Sequence, residues 1–182
     1  MQRTNIRQIP LLLLVLTVLA GGSIAADGQF TISSKALKED RIISVSLPED
    51  YESGERKYPV LYVLDGEWVF DYAVGTVKFL SNDVAGRIPK MIVVGVPNTD
   101  RARDLSVTLQ KGAGYVNFLK FLETELKPLV EKRYRTNGFD VIYGWSSGGG
   151  VAGHFFASNP SVFDGYIESG SGVGRRSSKF YS

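Results

Sequence analysis

Hydrophobic and polar positions along the chain follow two periods, and the change from one to the other marks its elements. Residues 30–33 and 42–47, the latter with Ile42, Ile43, Val45 and Leu47, are short, β-branched runs separated by Lys38, Glu39 and Asp40. That pattern predicts an antiparallel hairpin at a sheet edge. Residues 49–57 read as a polar loop, and residues 58–64 as a continuous apolar run, the mark of a strand covered on both faces. Asp65, Gly66 and Glu67 close that run, and residues 68–80 suit a helix. Residues 90–96 form a second buried strand ending in Pro97-Asn98-Thr99-Asp100, and residues 101–114 read as a loop.

Further on, Phe118, Leu119, Leu122, Leu126, Leu129 and Val130 recur at helical spacing between charges, which predicts an amphipathic helix over 115–133, kinked at Pro128. A strand at 141–143, a helix at 151–157 and a strand at 166–169 complete the pattern. Strands that alternate with helices imply an α/β class with a mainly parallel sheet and right-handed crossovers.

The first 26 residues follow neither period. Arg3 and Arg7 precede an apolar stretch at 11–20, and Ser23-Ile24-Ala25 supplies small residues before Ala26. These are the three parts of a secretory signal, so residues 1–26 read as a signal peptide and residues 27–182 as one exported domain, periplasmic or secreted. The uncleaved alternative is a membrane anchor, but the uncharged run falls short of the roughly 20 residues a comfortable span needs. No later stretch could cross a bilayer.

Charge changes the picture once the signal is set aside. The 182 residues carry 21 Lys and Arg against 19 Asp and Glu, and the signal holds two of the basic ones, so the remaining domain is near neutral. Neither nucleic acid nor an anionic membrane is indicated as a partner. With no cysteine there is no disulfide, thiolate metal site or cysteine nucleophile.

The candidate chemistry lies in Gly144-Trp145-Ser146-Ser147-Gly148, between a strand-like run and a helix-like one. In a G-x-S-x-G elbow the serine occupies a sharp strand-to-helix bend, and the glycines stand where strand and helix pass too closely for a side chain. Ser146 is the candidate nucleophile, Gly144 and Gly148 the elbow glycines, and the backbone N–H of Ser147 a candidate oxyanion donor at the helix start. A rival exists in Gly148-Gly149-Gly150-Val151-Ala152-Gly153, which satisfies G-x-G-x-x-G with Glu168 at a dinucleotide-like spacing. Against it, four residues separate the strand from its first glycine, where the dinucleotide turn is tight. A plain glycine-rich turn is the third reading. No Gly-Lys-Ser/Thr follows the glycines, which excludes a nucleotide P-loop.

Residues 58–66, Val94 through Asp100 with Arg101, Arg103 and Asp104, residues 118–128, Tyr134-Arg135-Thr136 and the elbow together resemble the putative esterase family of α/β-hydrolases. That family includes siderophore esterases, S-formylglutathione hydrolase and the antigen 85 acyltransferases, and the likeness spans about residues 35–171. The resemblance implies a three-layer α/β-hydrolase sandwich, a serine esterase acting on a small-molecule ester, no cofactor and no metal. It also implies a triad acid and histidine downstream of the elbow, and a second oxyanion donor in the turn after Leu64, the N–H of Glu67. Trp68, Trp145, Asn98, Arg101 and Arg103 are candidate substrate contacts. The arginines and Asn98 follow a strand's carboxyl end, where open α/β sheets bind ligands.

The chain departs from that pattern after the elbow. Its one histidine, His154, lies eight residues beyond Ser146, about 12 Å along a helix, against the roughly 3 Å that a general base requires. It reads as a structural residue. Asp164 precedes its strand, Glu168 is a weak acid candidate, and the stretch after Ser169 has no period and reads as a frayed tail. The fold is therefore expected to lack the last strands and helix of such a hydrolase, and its activity to be crippled. An acyltransferase of the same family and a non-catalytic ligand-binding relative are the alternatives.

Overall fold

The computed structural model describes residues 27–106 and 112–170. The stretch expected to be a signal peptide, part of the loop expected at 101–114 and the residues after 170 fall outside them. Six strands form one sheet in the order β1-β2-β4-β3-β5-β6. β1 (Gly28–Ser34) and β2 (Glu39–Ser46) are the expected edge hairpin, with antiparallel pairing that runs from Gly28 with Val45 to Ser34 with Glu39. β2 is also antiparallel to β4 (Ile92–Val96), whereas β3 (Tyr58–Leu64) is parallel to β4 and to β5 (Thr136–Trp145), and β5 is parallel to β6 (Gly165–Ser169).

All seven residues of β3 are buried, as an unbroken apolar run demands of a strand covered on both faces. One face is covered by α1 (Gly66–Ser81), whose Val69, Phe70, Ala73, Val74 and Val77 meet Leu61, Val63, Val93 and Val141. Phe70 lies against Gly95 so closely that any side chain at 95 would collide with its ring. The opposite face holds the larger core, in which Tyr115, Phe118, Phe121, Leu122, Leu126, Val130, Val151 and Phe155 pack on Tyr62, Leu64, Val94 and Ile142. Burial of side chains this large, at roughly 1.5–3 kcal/mol each, is what fixes the layers.

The single helix expected at 115–133 has three parts: α3 (Ala113–Phe121), a π-helical turn (Leu122–Leu126) and α4 (Lys127–Arg133). Pro128 is the physical reason. It has no N–H to return to the carbonyl four residues back, and the helix widens just ahead of it, with Lys127 N–H donating to the Leu122 carbonyl five residues back. The widened turn carries Glu125, whose carboxylate accepts from Ser34 Oγ at 2.6 Å and Ala36 N–H at 2.9 Å and so ties the edge hairpin to the helical layer.

Part of the stretch expected to be loop is helical. α2 (Arg101–Leu105) starts on Asp100, whose side chain accepts the Arg103 N–H at 3.0 Å, and it buries Asp104 and Leu105 completely. Asp104 faces Arg41 of β2, which is itself buried and lies over the rings of Phe118 and Phe121 at 5.6 and 5.9 Å. Arg103 joins them, donating to Asp104 Oδ1 at 2.7 Å and to both carboxylate oxygens of Glu39. A charge-paired cluster thus fastens α2 to the hairpin.

Asp104→Ala takes from the buried Arg41 one of its two carboxylate partners and leaves Glu39 at 2.7 Å, so it should lower unfolding stability by about 1–3 kcal/mol in urea titration. No measurable loss would show that Glu39 and water compensate Arg41 fully. The same cluster predicts acid sensitivity. The Glu39 carboxyl is lowered from 4.5 to about 2, chiefly by its hydrogen bond from Arg103, then by Thr99 and the Arg41 charge, against an opposing effect of burial. A depressed pKa contributes stability above the unfolded value and loses it as pH falls through the folded one. Glu39→Gln should therefore be less acid-sensitive than the wild type between about pH 4.5 and 2, and parallel stability curves in that window would contradict the assignment.

Candidate active site

Strands β3 and β5 are neighbours, with Val63 opposite Tyr143, and each hands the chain to a helix at its carboxyl end. α1 follows β3 through Asp65, and α5 (Ser147–Ser158) follows β5 through Ser146. Both junction residues have positive φ without being glycine. Asp65 sits at φ 55, ψ 40 and Ser146 at φ 53, ψ −116. The second pair lies outside the regions open to L-residues and stores strain of order 1–3 kcal/mol.

The surroundings of Ser146 impose that conformation. A methyl group on Gly144 would run into the Gly148 carbonyl, so strand and helix touch backbone to backbone. A methyl on Gly148 would stand 3.2 Å from Asp65 Oδ2 and 3.3 Å from Leu64 Cβ, which puts the first turn of α5 against the β3–α1 turn. The Ser146 N–H donates to the Ser169 carbonyl at 2.8 Å, and its own carbonyl accepts from Gly150 N–H at 3.2 Å. Ser147 and Glu67 are the first and second residues of their helices, where N–H groups have no acceptor within the helix. Two helix starts, each with a partial positive charge, thus lie beside one another at Ser146.

The dinucleotide reading does not survive. β5 runs straight into Ser146 and α5 begins before the first glycine of that fingerprint, so Gly148, Gly149 and Gly150 lie buried within the helix and do not form the tight strand-to-helix turn of a dinucleotide site.

The turn at Asp65 is clamped from the loop that follows β4. Asp65 is fully buried, and its Oδ1 accepts from Arg101 Nε and from Asn98 Nδ2, both at 2.7 Å, while Oδ2 accepts from Arg101 Nη2 at 3.0 Å. This pairing holds the Arg101 pKa above its ordinary value. The Asp65 carbonyl takes the N–H groups of Trp68 and Val69 at 3.0 and 3.1 Å. Gly66 fits because Val96 N would be 2.7 Å from any Cβ there. The Glu67 carboxylate reaches the other way, accepting Asn98 N–H at 3.0 Å and Asn98 Nδ2 at 2.8 Å.

Several expected contacts therefore change character. Asn98 and Arg101, read as candidate substrate contacts, spend these donors inward on Asp65 and Glu67. Arg103, read likewise, is committed to Glu39 and Asp104 on the far side of α2. Trp68 stays exposed beside the turn, with the Arg101 guanidinium 5.4 Å from its ring, and Trp145 is exposed with its indole against Gly170. Asp65 carries more of the site than the sequence suggested, where it read only as part of a turn. The available signal was an acid between a buried strand and a helix.

The downstream acids and His154 do not converge on Ser146. Asp164, just before the starting end of β6, accepts the N–H of Asp140 at 2.8 Å, five residues short of Trp145, where β5 ends. Glu168 extends over Gly153, two turns down α5. His154 packs edge-on to Tyr115 at 5.4 Å, and burial lowers its pKa. A groove of about 700 Å³ opens beside Gly66, Glu67 and Trp68 and runs past Pro97 to Gly28 and Ser44 of the hairpin, without Ser146 among its walls. No helix among the described residues is long and apolar enough to cross a membrane.

The chain is similar in sequence and fold to known proteins. A siderophore triacetylfusarinine C esterase of Aspergillus fumigatus is 29% identical over 150 residues, covering 72% of this chain and 51% of that protein. The crystal structure of an IroE-like serine hydrolase from Shewanella oneidensis superposes with a TM-score of 0.76 at 34% identity, over 85% of this chain and 53% of the other. Siderophore hydrolase EstB from Aspergillus nidulans gives a TM-score of 0.69 at 26% identity, over 83% and 60%. The chain thus spans about half the length of the first two. The profile of the family described as "Putative esterase" matches residues 34–181, a stretch that takes in β2 to β6 and both strand-to-helix junctions, and the chain belongs to that family of α/β serine hydrolases.

Proposed function

We propose that this chain carries the nucleophile of an exported carboxylic ester hydrolase that works through an acyl-enzyme on Ser146. The observation that carries the reading is the strained conformation of Ser146, φ 53 and ψ −116, at the strand-to-helix junction where two helix starts meet. In this mechanism Ser146 Oγ attacks the ester carbonyl, and its proton leaves with the alcohol. The oxyanion of each tetrahedral intermediate is held by the N–H groups of Ser147 and Glu67, and water then releases the acid. One such donor is typically worth on the order of 3–4 kcal/mol. Kinship with proteins named for siderophore ester cleavage favours a siderophore-type ester as substrate.

Serine at its own pKa depends on a base within hydrogen-bond reach, and His154, turned toward Tyr115, supplies none. The 182-residue chain alone should therefore hydrolyse p-nitrophenyl acetate at pH 7 no faster than the ~10³–10⁴-fold acceleration that an oxyanion hole and binding provide. At pH 9, where more of the serine hydroxyl is ionised than at pH 7, prolonged incubation with a fluorophosphonate should slowly label Ser146, as located by peptide mass spectrometry, and Ser146→Ala should take no label at that position. Equal labelling of the two proteins would remove Ser146 from the role of nucleophile. Turnover at the level of a complete triad would demand a base elsewhere in the chain.

Export has its own measurement. When the chain is expressed in a bacterium, the mature product should be found outside the cytoplasm with an N-terminus near Ala26 or Asp27, because a basic start, an apolar run and a small-residue site occur together. A cytoplasmic product that still begins at Met1 would contradict this.

A further inference from the structure

We infer that Arg101 is a positioning residue for the oxyanion turn and acts on the reaction through Asp65 without touching the substrate. The inference rests on the esterase reading above and adds to it the device that sets the second oxyanion donor. Asp65 has no exposed surface, yet its carboxylate lies at the seam between the two helix starts, 3.2 Å from where a Gly148 side chain would begin. A negative charge there opposes the negative charge that must develop on the substrate's carbonyl oxygen. Arg101 answers it with two donors on two oxygens, a fork that fits a carboxylate and that a lysine cannot reproduce.

The same pair sets backbone geometry. Asp65 is held at φ 55, and the turn it starts must bring the Glu67 N–H to a fixed place. Asn98 repeats the link from the same loop, binding Asp65 by its side chain and Glu67 by both backbone and side chain. Arg101 is itself the first residue of α2, which Asp104 anchors through Arg41 to β2. The position of the oxyanion donor is thus referred back to the edge hairpin through one guanidinium on each side of α2. Trp68 lies against the Arg101 guanidinium at 5.4 Å, and the side chain of Arg101 keeps about 30% of its surface exposed while two of its nitrogens are held by Asp65.

A double-mutant cycle on the full chain separates action through Asp65 from contact with a ligand. Asparagine tolerates the left-handed conformation, so Asp65→Asn removes the charge and keeps the turn. The readout is the rate of fluorophosphonate labelling of Ser146 at pH 9, corrected for the folded fraction by near-ultraviolet circular dichroism. With Asp65 present, Arg101→Ala should slow labelling on the order of 10–100-fold, since small misplacements at a reacting centre have costs of that size. In the Asp65→Asn background the same substitution should change the rate less than about threefold.

A slowing that persists in the Asp65→Asn background would overturn the inference, because Arg101 would then meet the reagent itself. So would the absence of any slowing with Asp65 in place, which would leave the pair a matter of stability alone. Should Arg101→Ala not fold, Arg101→Lys runs the same cycle with an expected slowing of about three- to tenfold. If wild-type Ser146 takes no more label than Ser146→Ala, the esterase reading itself falls and takes this role with it, an outcome distinct from either failure above.

Discussion

A carboxylate that has left water must be met by positive charge and N–H donors, or the chain will not keep it. Asp65 is such a group, and its needs organise the carboxyl end of the sheet around Ser146. They fix the loop after β4, because only that loop offers Arg101 and Asn98 within reach. They fix α2, which must present Arg101 at its first residue. α2 in turn buries Asp104, a second carboxylate with the same demand, and Arg41 meets it from β2. Two buried acids, one at the start of α1 and one in α2, therefore tie the edge of the sheet to its centre.

Glycine sets the distances at which this can happen. The β3–α1 turn touches the end of β4 at Gly66, β5 touches α5 at Gly144, and Gly148 lets α5 close on Asp65. Each contact is between backbones or between a backbone and a held carboxylate, so none can relax by a rotamer change. Ser146 is the residue that absorbs the mismatch, and its unfavourable dihedral angles are the local record of three close approaches. The strain is sustained by the core beneath, where Tyr62, Leu64 and Ile142 carry Val151 and Phe155 of α5.

What the sequence made legible was whatever depends on neighbours along the chain. The apolar run of β3, the hairpin and the amphipathic spacing of the helix around Phe118 are local patterns and were read correctly in kind. The elbow too is local, since five residues name a turn that only glycines permit. α2 was missed because Arg-Ala-Arg-Asp-Leu has no apolar period, and its helix forms through a cap on Asp100 and the burial of Asp104. Pro128 announced a kink, but a proline can be accommodated by bending or by widening, and the choice depends on the layer below. β5 starts at Thr136, earlier than its apolar residues suggest, because pairing with Tyr58 extends it through polar positions. Arg103 looked available for a ligand because Glu39, its partner, lies 64 residues away. Charge partners across a sheet leave no mark in a local window.

The clamp around Asp65 has an optical consequence. The chain holds two tryptophans, Trp68 and Trp145, and both adjoin this site. One faces the Arg101 guanidinium, and the other immediately precedes Ser146 in β5 with its ring nitrogen toward Gly170. Both indoles are about half exposed, so their emission depends on water and on nearby charge. No third indole adds a background from elsewhere in the protein. The tryptophan fluorescence of this molecule, excited at the red edge where its nine tyrosines do not absorb, therefore originates beside the junction of the two helix starts, and a change in its intensity or wavelength reports on that region without any attached dye.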